Sequence, residues 1–462
     1  MGDDLAAAAR QILFTDAMPP LADRLGLDGA MPADRRDTVW LDAAALSRAG
    51  LGQVTAVAAQ DVTVGQDLRV ASGGLIELYA PNVSIQGDLT ARGGRVAAGN
   101  VLQSVEREVF LAPAANTSAR VEVAPGTSID VSGLWANLRR APQDVDALAW
   151  RNGGQIALRG TGAVAVAAGS VLDARSGATL DVKGRLSGGK GGDVALEQVA
   201  LNGSVPGPGP VGVSLAGTVY GYGVNGGGTL RVGANRVLIS DAADADAGAD
   251  GLVLRGDLFQ RGFARYDING AQGLTVADGM ALDVAMPVYR PRSETPDPQL
   301  AGFDDALTLW TPPLFQENAV TGRMSQRLGA SLSLSAFVAA TPQTVGALRI
   351  GRDAVLRVDP GQTIRLQSRG LMRVQGTLQA PGGQIVVARG ADDQGPPRNW
   401  AACPTRSGSN RARGSTWAAL RRRPWTPVAA ATASSSMAGA SPSTASSSSF
   451  GRARSWKRRV RR

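Results

Sequence analysis

The chain has 462 residues, of which 59 are glycine and 5% are aromatic, a composition that suits many tight corners better than a compact aromatic core. It has no histidine and one cysteine, Cys403, so Ser-His-Asp triads, internal disulfides and thiolate metal sites are excluded. The net charge of +9 arises in residues 401–462, which carry 13 basic and no acidic side chains. The remaining residues carry 35 basic and 39 acidic side chains, a net charge of −4, so no specific nucleic-acid partner is predicted.

Residues 1–50 have the weakest strand pattern in the body of the chain. Leu41 to Gly50 predicts a short helix, with Asp42 as its N-cap, good helix formers inside and Gly50 as its stop. We expect this helical flank to cover the N-terminal end of the fold. The first residues lack the basic and apolar regions of a secretory signal, and no apolar run reaches the ~20 residues that a membrane helix needs.

A repeated pattern begins after residue 50. Val83–Val96 reads VSIQGDLTARGGRV, which predicts two short alternating strands, a bend at Gly87 and a Gly-Gly corner before a third strand. Met372–Ile385 has the same pattern with different outward residues. Val62–Gly74 is a third copy, with one extra residue before the corner.

The period of this repeat is read from three pairs of apolar residues: Val62 and Val83, Leu68 and Leu89, and Ile76 and Val96. The members of these pairs are 21, 21 and 20 residues apart. Repeats of this length, built from strands and glycine corners without helices, predict a right-handed parallel β-helix. In this all-β solenoid the six residues point inward.

The pattern divides the chain into further regions. Residues 51–285 predict β-helix coils with loop excursions, among them the Gly- and Pro-rich stretches 184–192 and 203–228. Residues 286–345 are richer in Pro, Trp and polar side chains, and they predict a non-repetitive insertion. Residues 346–390 predict β-helix coils again. The apolar strand at Gln384–Val387 ends the repeat without a cap, so an exposed hydrophobic edge is expected there.

The repeat pattern stops after Arg389. Residues 391–462 are rich in Arg, Ser, Ala and Pro and predict a disordered basic tail. A second interpretation is a frameshift in the gene. With G at the wobble positions, the frame that starts one base earlier turns Pro424 to Ala430 into Val-Asp-Ala-Gly-Gly-Gly, which is the corner pattern of the body.

Several stretches resemble the coil motifs of filamentous haemagglutinin-like exoproteins. The stretches are Ser128-Ile-Asp-Val-Ser-Gly133 with Leu134-Trp135, Asn152-Gly-Gly-Gln-Ile156, Gly376-Thr-Leu-Gln-Ala-Pro-Gly-Gly383 and the predicted helix Leu41–Gly50. The resemblance covers about residues 38 to 390. The family's N-terminal secretion domain and signal peptide are absent here, so the chain resembles an internal or C-proximal piece of a longer exoprotein.

The resemblance implies a structural segment of a secreted bacterial surface adhesin, without catalysis and without cofactors or metal ions. Its implied partners are receptors or glycans on host or neighbouring cells, and an outer-membrane transporter for the full-length exoprotein. The implied location of the parent protein is the bacterial cell surface or the extracellular space. The alternative is a β-helix lyase or hydrolase that processes polysaccharides, since some β-helix proteins cleave such polymers with acidic clusters.

Two sets of residues are candidates for a site. Arg255-Gly256-Asp257 is a tripeptide that integrin receptors recognise, and it is the one candidate receptor-binding site. Asp241, Asp244, Asp246 and Asp250 form the acidic cluster that the enzymatic alternative requires. Their spacing within an Ala- and Gly-rich stretch predicts a solvated loop instead of an aligned catalytic face.

Overall fold

A computed structural model of the chain describes residues 9–19, 33–103, 108–112, 119–137, 151–180, 186–199, 212–292, 306–311, 315–317, 322, 324–326, 328–337 and 346–389. The chain divides into two compact units, residues 1–395 and 396–462, and every described residue belongs to the first. The predicted basic tail, residues 391–462, lies outside the described residues, as does part of the predicted insertion 286–345.

The described residues form an all-β structure dominated by large parallel sheets. The long sheet has 13 strands: Gln53–Val57, Leu75–Tyr79, Arg95–Gly99, Gln155–Gly160, Asp193–Gln198, Thr229–Ile239, Gly251–Leu254, Arg265–Val276, Ser331–Ala336, Ala347–Ile350, Thr363–Ser368, Met372–Val374 and Gln384–Arg389. The seven-stranded sheet contains Gln11–Thr15, Thr38–Asp42, Asp61–Val64, Asn82–Ile85, Arg120–Val123, Ala163–Val166 and Gly212–Leu215.

Smaller sheets complete the architecture. The five-stranded sheet contains Leu68–Arg69, Leu89–Thr90, Ser128–Asp130, Val171–Asp173 and Thr218–Tyr220, and a third parallel group contains Ala281–Val284, Val355–Val358 and Thr377–Gln379. Antiparallel pairs join Val101–Gln103 to Glu108–Phe110, Val288–Pro291 to Leu307–Trp310, and Phe315–Glu317 to Met324–Gln326. Ala136–Asn137, Ala178–Leu180 and Leu186–Gly188 form one more small sheet.

The chain visits the three largest sheets in a fixed order. From Asp61 to Gly99 it adds one strand to the seven-stranded sheet, one to the five-stranded sheet and one to the long sheet, and then repeats that order. The predicted pairs are confirmed, because Val62 lies beside Val83, Leu68 beside Leu89 and Ile76 beside Val96. All six residues are buried.

These pairs extend into ladders of stacked aliphatic side chains. In the seven-stranded sheet the ladder is Val62, Val83, Val121, Val164 and Val213, and in the five-stranded sheet it is Leu68, Leu89, Ile129, Leu172 and Val219. Neighbouring strands lie ~4.8 Å apart, so each side chain packs on the one above it. The ladders of the three sheets meet in one continuous core.

Glycine pairs make the corners between repeats. Gly93 has a φ of +63°, which residues with a Cβ rarely adopt. A Cβ on Gly94 would lie 2.0 Å from the carbonyl oxygen of Gly74, and one on Gly154 would lie equally close to that of Gly94. The first glycine of the corner therefore turns the chain, and the second lets successive repeats approach.

The helix predicted at Leu41–Gly50 is present as Ala43–Arg48. The Asp42 side chain accepts a hydrogen bond from the backbone N–H of Ala45 at 2.8 Å, and Gly50 has a φ of +63°. A second short helix spans Ala33–Arg36, and a 3₁₀ helix spans Gly256–Gln260. None of the helices within the described ranges has the length and apolar character needed to cross a bilayer.

The structure differs from the sequence prediction in two places. Gly212–Leu215 and Thr218–Tyr220 are strands, although residues 203–228 predicted a wide loop. Their inward Val213 and Val219 complete ladders of earlier repeats, and this pairing outweighs the local glycine and proline content. Ser331–Ala336 lies within the predicted insertion 286–345, yet it is a parallel strand of the long sheet.

Candidate functional site

A groove of about 460 Å³ lies on the outer face of the long sheet. Five consecutive strands contribute to it, from Arg95–Gly99 to Arg265–Val276. Its position follows from the strand pattern. Residues that alternate with the buried ladder point outward, so the outward residues of successive repeats form columns on this face.

Small side chains form the floor of the groove. Ala157 and Ala195 lie side by side on neighbouring strands and line the groove, and Ala97, on the next strand, continues their column. The columns on either side carry longer side chains, including Arg95, Arg159 and Glu197. The difference in side-chain length produces the depression.

Four arginines and two carboxylates line the groove, which gives the lining a net positive charge. Arg95 and Arg265 occupy the same column four strands apart, a separation of about 19 Å at the usual strand spacing. Arg231 ends the alanine column on one side. Arg159 lies in the column on the other side of the alanines from Arg95 and Arg265. The guanidinium groups are thus distributed along the groove instead of converging on one point.

Glu197 is the centre of the ion pairing in this groove. Its Oε2 accepts from Arg159 Nε at 2.8 Å, and its Oε1 lies 3.7 Å from Arg231 Nε. The Arg159 and Glu197 side chains are each 18% exposed, whereas that of Arg231 is 51% exposed. Arg159 is therefore a fixed part of the wall, and Arg231 is a solvated cation held at longer range.

A satellite apolar cluster lies on the same outer face and includes Ala97, on the strand that carries Arg95. Tyr79, Ala97 and Leu111 are buried together on this outer face. Burial, followed by the nearby charge of Glu77, raises the pKa of the Tyr79 hydroxyl. The protonated hydroxyl lies 3.5 Å from Glu77 Oε1 and donates to it, and Glu77 in turn lies 3.9 Å from Arg95.

The two carboxylates of the groove are not arranged for acid–base catalysis. Asp193 and Glu197 lie on one strand four residues apart, which separates their Cα atoms by about 13 Å. Their carboxylates are held by different partners, Thr229 N–H and Arg159. Glycosidases hold their two carboxyl groups about 5–9.5 Å apart. Asp193 Oδ1 accepts a hydrogen bond from the backbone N–H of Thr229 at 2.7 Å, and this bond helps to hold the two neighbouring strands together.

A closer carboxylate pair lies on the five-stranded sheet, and the sequence motifs did not predict it. Asp130 and Asp173 are direct neighbours on adjacent strands. Asp130 accepts hydrogen bonds from the backbone N–H and hydroxyl of Ser132 at 2.9 and 2.6 Å and pairs with Arg92 at 3.0 Å. Asp173 accepts from Arg175 Nε and Nη2. Each carboxylate is thus occupied at a chain corner.

These contacts explain the motif Asp130-Val-Ser-Gly133. The aspartate side chain accepts the N–H two residues later, which closes an Asx-type turn, and a Cβ on Gly133 would lie 2.3 Å from the Gly177 nitrogen. The aligned register of Asp130 and Asp173 in two repeats is the sequence signal by which their proximity could have been found.

The predicted receptor tripeptide lies at the start of the 3₁₀ helix Gly256–Gln260. Arg255 Nη1 donates to the carbonyl oxygen of Asp241 at 3.0 Å, and the N–H of Gly256 donates to Asp241 Oδ1 at 2.8 Å. The Asp257 carboxylate forms an ion pair with Arg261. The Asp257 side chain is largely exposed, while Arg255 and Asp257 each have a partner within the chain.

The acidic loop is exposed to solvent, as its spacing predicts. Asp241, Asp244, Asp246 and Asp250 are all exposed, and Asp246 Oδ1 accepts the N–H of Gly248 at 2.8 Å. Over the described part of the chain, no three carboxylate or thiol side chains lie close enough together to hold one metal ion.

Comparisons with protein-family models, with curated protein sequences and with solved structures found no match for this chain. The resemblance to filamentous haemagglutinin-like exoproteins therefore rests on the sequence motifs alone. The groove is the feature that sequence reasoning missed, because its arginines come from strands up to 170 residues apart and share no local motif.

Proposed function

We propose that the chain is a structural segment of a secreted bacterial surface adhesin, similar to the filamentous haemagglutinin-like exoproteins. In this proposal its parallel sheets are the faces of a right-handed β-helix. The order in which the chain visits the sheets supports this architecture, since the repeats between Asp61 and Ile239 each add one strand to each of the three largest sheets. The parent protein would reach the cell surface through an outer-membrane transporter.

The observation that carries the adhesive function is the arginine-lined groove on the long sheet. Its distributed guanidinium groups suit an extended anionic glycan, because arginine pairs with carboxylate and sulfate in bidentate fashion. The alanine floor suits the apolar face of a sugar ring. The wide separation of Asp193 and Glu197 favours binding over the alternative, a polysaccharide-processing enzyme.

We expect the double variant Arg95→Gln/Arg231→Gln to bind anionic polysaccharide about 100-fold more weakly than the unchanged chain, about tenfold for each charge-assisted contact. Binding is measured with fluorescent polygalacturonate and dextran sulfate, with neutral dextran as reference. The two anionic probes distinguish carboxylate from sulfate recognition.

The matched control is Arg349→Gln/Arg357→Gln, which removes two exposed arginines outside the groove. This control should bind as the unchanged chain does. Equal binding by the groove variant and the control variant would contradict the assignment of the groove. Release of uronate products from polygalacturonate would support the enzymatic alternative instead.

Glu197→Gln should act in the opposite direction and strengthen binding of the same probes severalfold. The substitution removes the carboxylate that attracts the exposed Arg231 at 3.7 Å and raises the net positive charge of the groove, so Arg231 becomes more available to an anionic ligand. The free energy of unfolding should fall by only about 1 kcal/mol, the range of a partly exposed ion pair. Glu122→Gln removes a comparable pair with Arg120 outside the groove and should not change binding.

A further inference from the structure

The last strand of the long sheet, Gln384–Arg389, has an unpaired side. It pairs with Thr363–Ser368, and no other described strand lies beyond it. Ile385 and Val387 continue the ladders of Ile364 and Leu366. The two earlier residues are 0% exposed, whereas Ile385 and Val387 are 43% and 45% exposed. We call the strand Gln384–Arg389 the terminal edge.

The opposite end of the long sheet is different. Its first strand, Gln53–Val57, keeps the corresponding Val54 and Ala56 buried. This strand pairs with Leu75–Tyr79, and no described strand lies on its other side, so the two ends of the sheet differ in the exposure of their inward side chains. The terminal edge is the end at which pairing with another copy would bury exposed apolar surface.

We infer that the terminal edge binds the terminal edge of a second copy of this chain, as an antiparallel pair across a twofold axis. Antiparallel strands keep inward side chains on one face when their register has the right parity. Centring the pair on Val386 meets this condition. It places Val386 opposite Val386 of the second copy, and Ile385 opposite its Val387, so that the buried ladder continues across the axis.

The charge pattern of the terminal edge favours this occupant. The strand has no charged residue before Arg389, and the twofold register places Arg389 opposite Gly383 of the second copy, away from the other Arg389. An apolar, uncharged edge is the kind of strand that associates with its own kind. A twofold contact closes at two copies, so the expected species is a dimer.

The full-length chain should show a concentration-dependent monomer–dimer equilibrium in sedimentation equilibrium. Val386→Lys should raise the dimer dissociation constant at least about 100-fold, because it sets two like charges directly opposite each other. Ser333→Lys adds the same charge in the same outward column, two strands away from the edge, and should leave the dimer intact. Circular dichroism checks that both variants keep the β signal.

The register is tested separately by disulfide cross-linking in a Cys403→Ser background. Val386→Cys should cross-link on oxidation, since residues directly opposite in an antiparallel pair lie within disulfide range. Gln384→Cys faces Ala388 of the second copy and should not cross-link. A wild-type chain that stays monomeric would show that another segment covers the edge, and growth beyond dimers would show a different contact. Either result, or an undiminished Val386→Lys dimer, would overturn the inference.

Discussion

Leu89→Asp should destabilise the chain by more than about 4 kcal/mol. Leu89 is fully buried and lies in the ladder between Leu68 and Ile129. The substitution removes most of the buried aliphatic side chain and puts in a carboxylate that has no water and no cation beside it. Urea denaturation followed by circular dichroism measures the loss.

The matched comparison is Thr90→Asp, one residue along the same strand. Thr90 points outward beside Arg69 and Asp130, so a new carboxylate there remains solvated. We expect a change in the free energy of unfolding of less than about 1 kcal/mol. Leu89→Met, which keeps the apolar volume, should also cost less than about 1.5 kcal/mol. Equal stabilities of Leu89→Asp and Thr90→Asp would mean that the inward register is wrong.

Asp359→Ala should destabilise the chain by about 3–5 kcal/mol. Asp359 is buried, and its Oδ2 accepts the backbone N–H groups of Met286 at 3.1 Å and of Ala330 at 3.0 Å. These residues bracket the non-repetitive segment, so one carboxylate holds both of its ends to the core. Removing it leaves two buried donors without this acceptor. Unfolding in urea gives the loss, and faster hydrogen exchange at Met286 and Ala330 locates it.

Asp359→Asn keeps an acceptor oxygen at the same place and should lose only the charge assistance, about 1–2 kcal/mol. Asp283→Ala removes an exposed carboxylate that pairs with Arg357 at 3.6 Å, and it should cost less than about 1 kcal/mol. An Asp359→Ala variant as stable as Asp283→Ala would show that the ends of the segment are held by other contacts.

The repeat could be predicted from the sequence because its determinants are local and periodic. Val62 and Val83, like Leu68 and Leu89, are separated by one uninterrupted repeat. Their separation in sequence therefore reveals which residues are paired on neighbouring strands. Where a long loop lies between two repeats, the sequence separation no longer reveals which residues are paired. Val83 and Val121 are also direct neighbours in a ladder, although 38 residues separate them in sequence. The strands near residues 212–220 and 331–336 were missed for this reason.

The groove could not be predicted in the same way, because it depends on outward residues from several repeats. Arg95 and Arg231 line the same groove, but this can be recognised only when the register of the intervening strands is known. Outward positions also carry no hydrophobic periodicity that would mark them. The aspartates of the corner motifs were visible in the sequence, and their place on neighbouring strands follows once the register of the two repeats is known.

The corner at Asn100 shows that this architecture accepts extra chain length without a change in its core. The Asn100 amide donates to the Leu111 carbonyl and to the Thr161 hydroxyl, and its oxygen accepts the Thr161 N–H, so it clamps the base of the hairpin Val101–Phe110. The ladders on either side keep their spacing. Loop-closure entropy grows only slowly with length, so a foreign peptide inserted between the paired strands Val101–Gln103 and Glu108–Phe110 should leave the ladders in place. The corner is a natural grafting point for engineering.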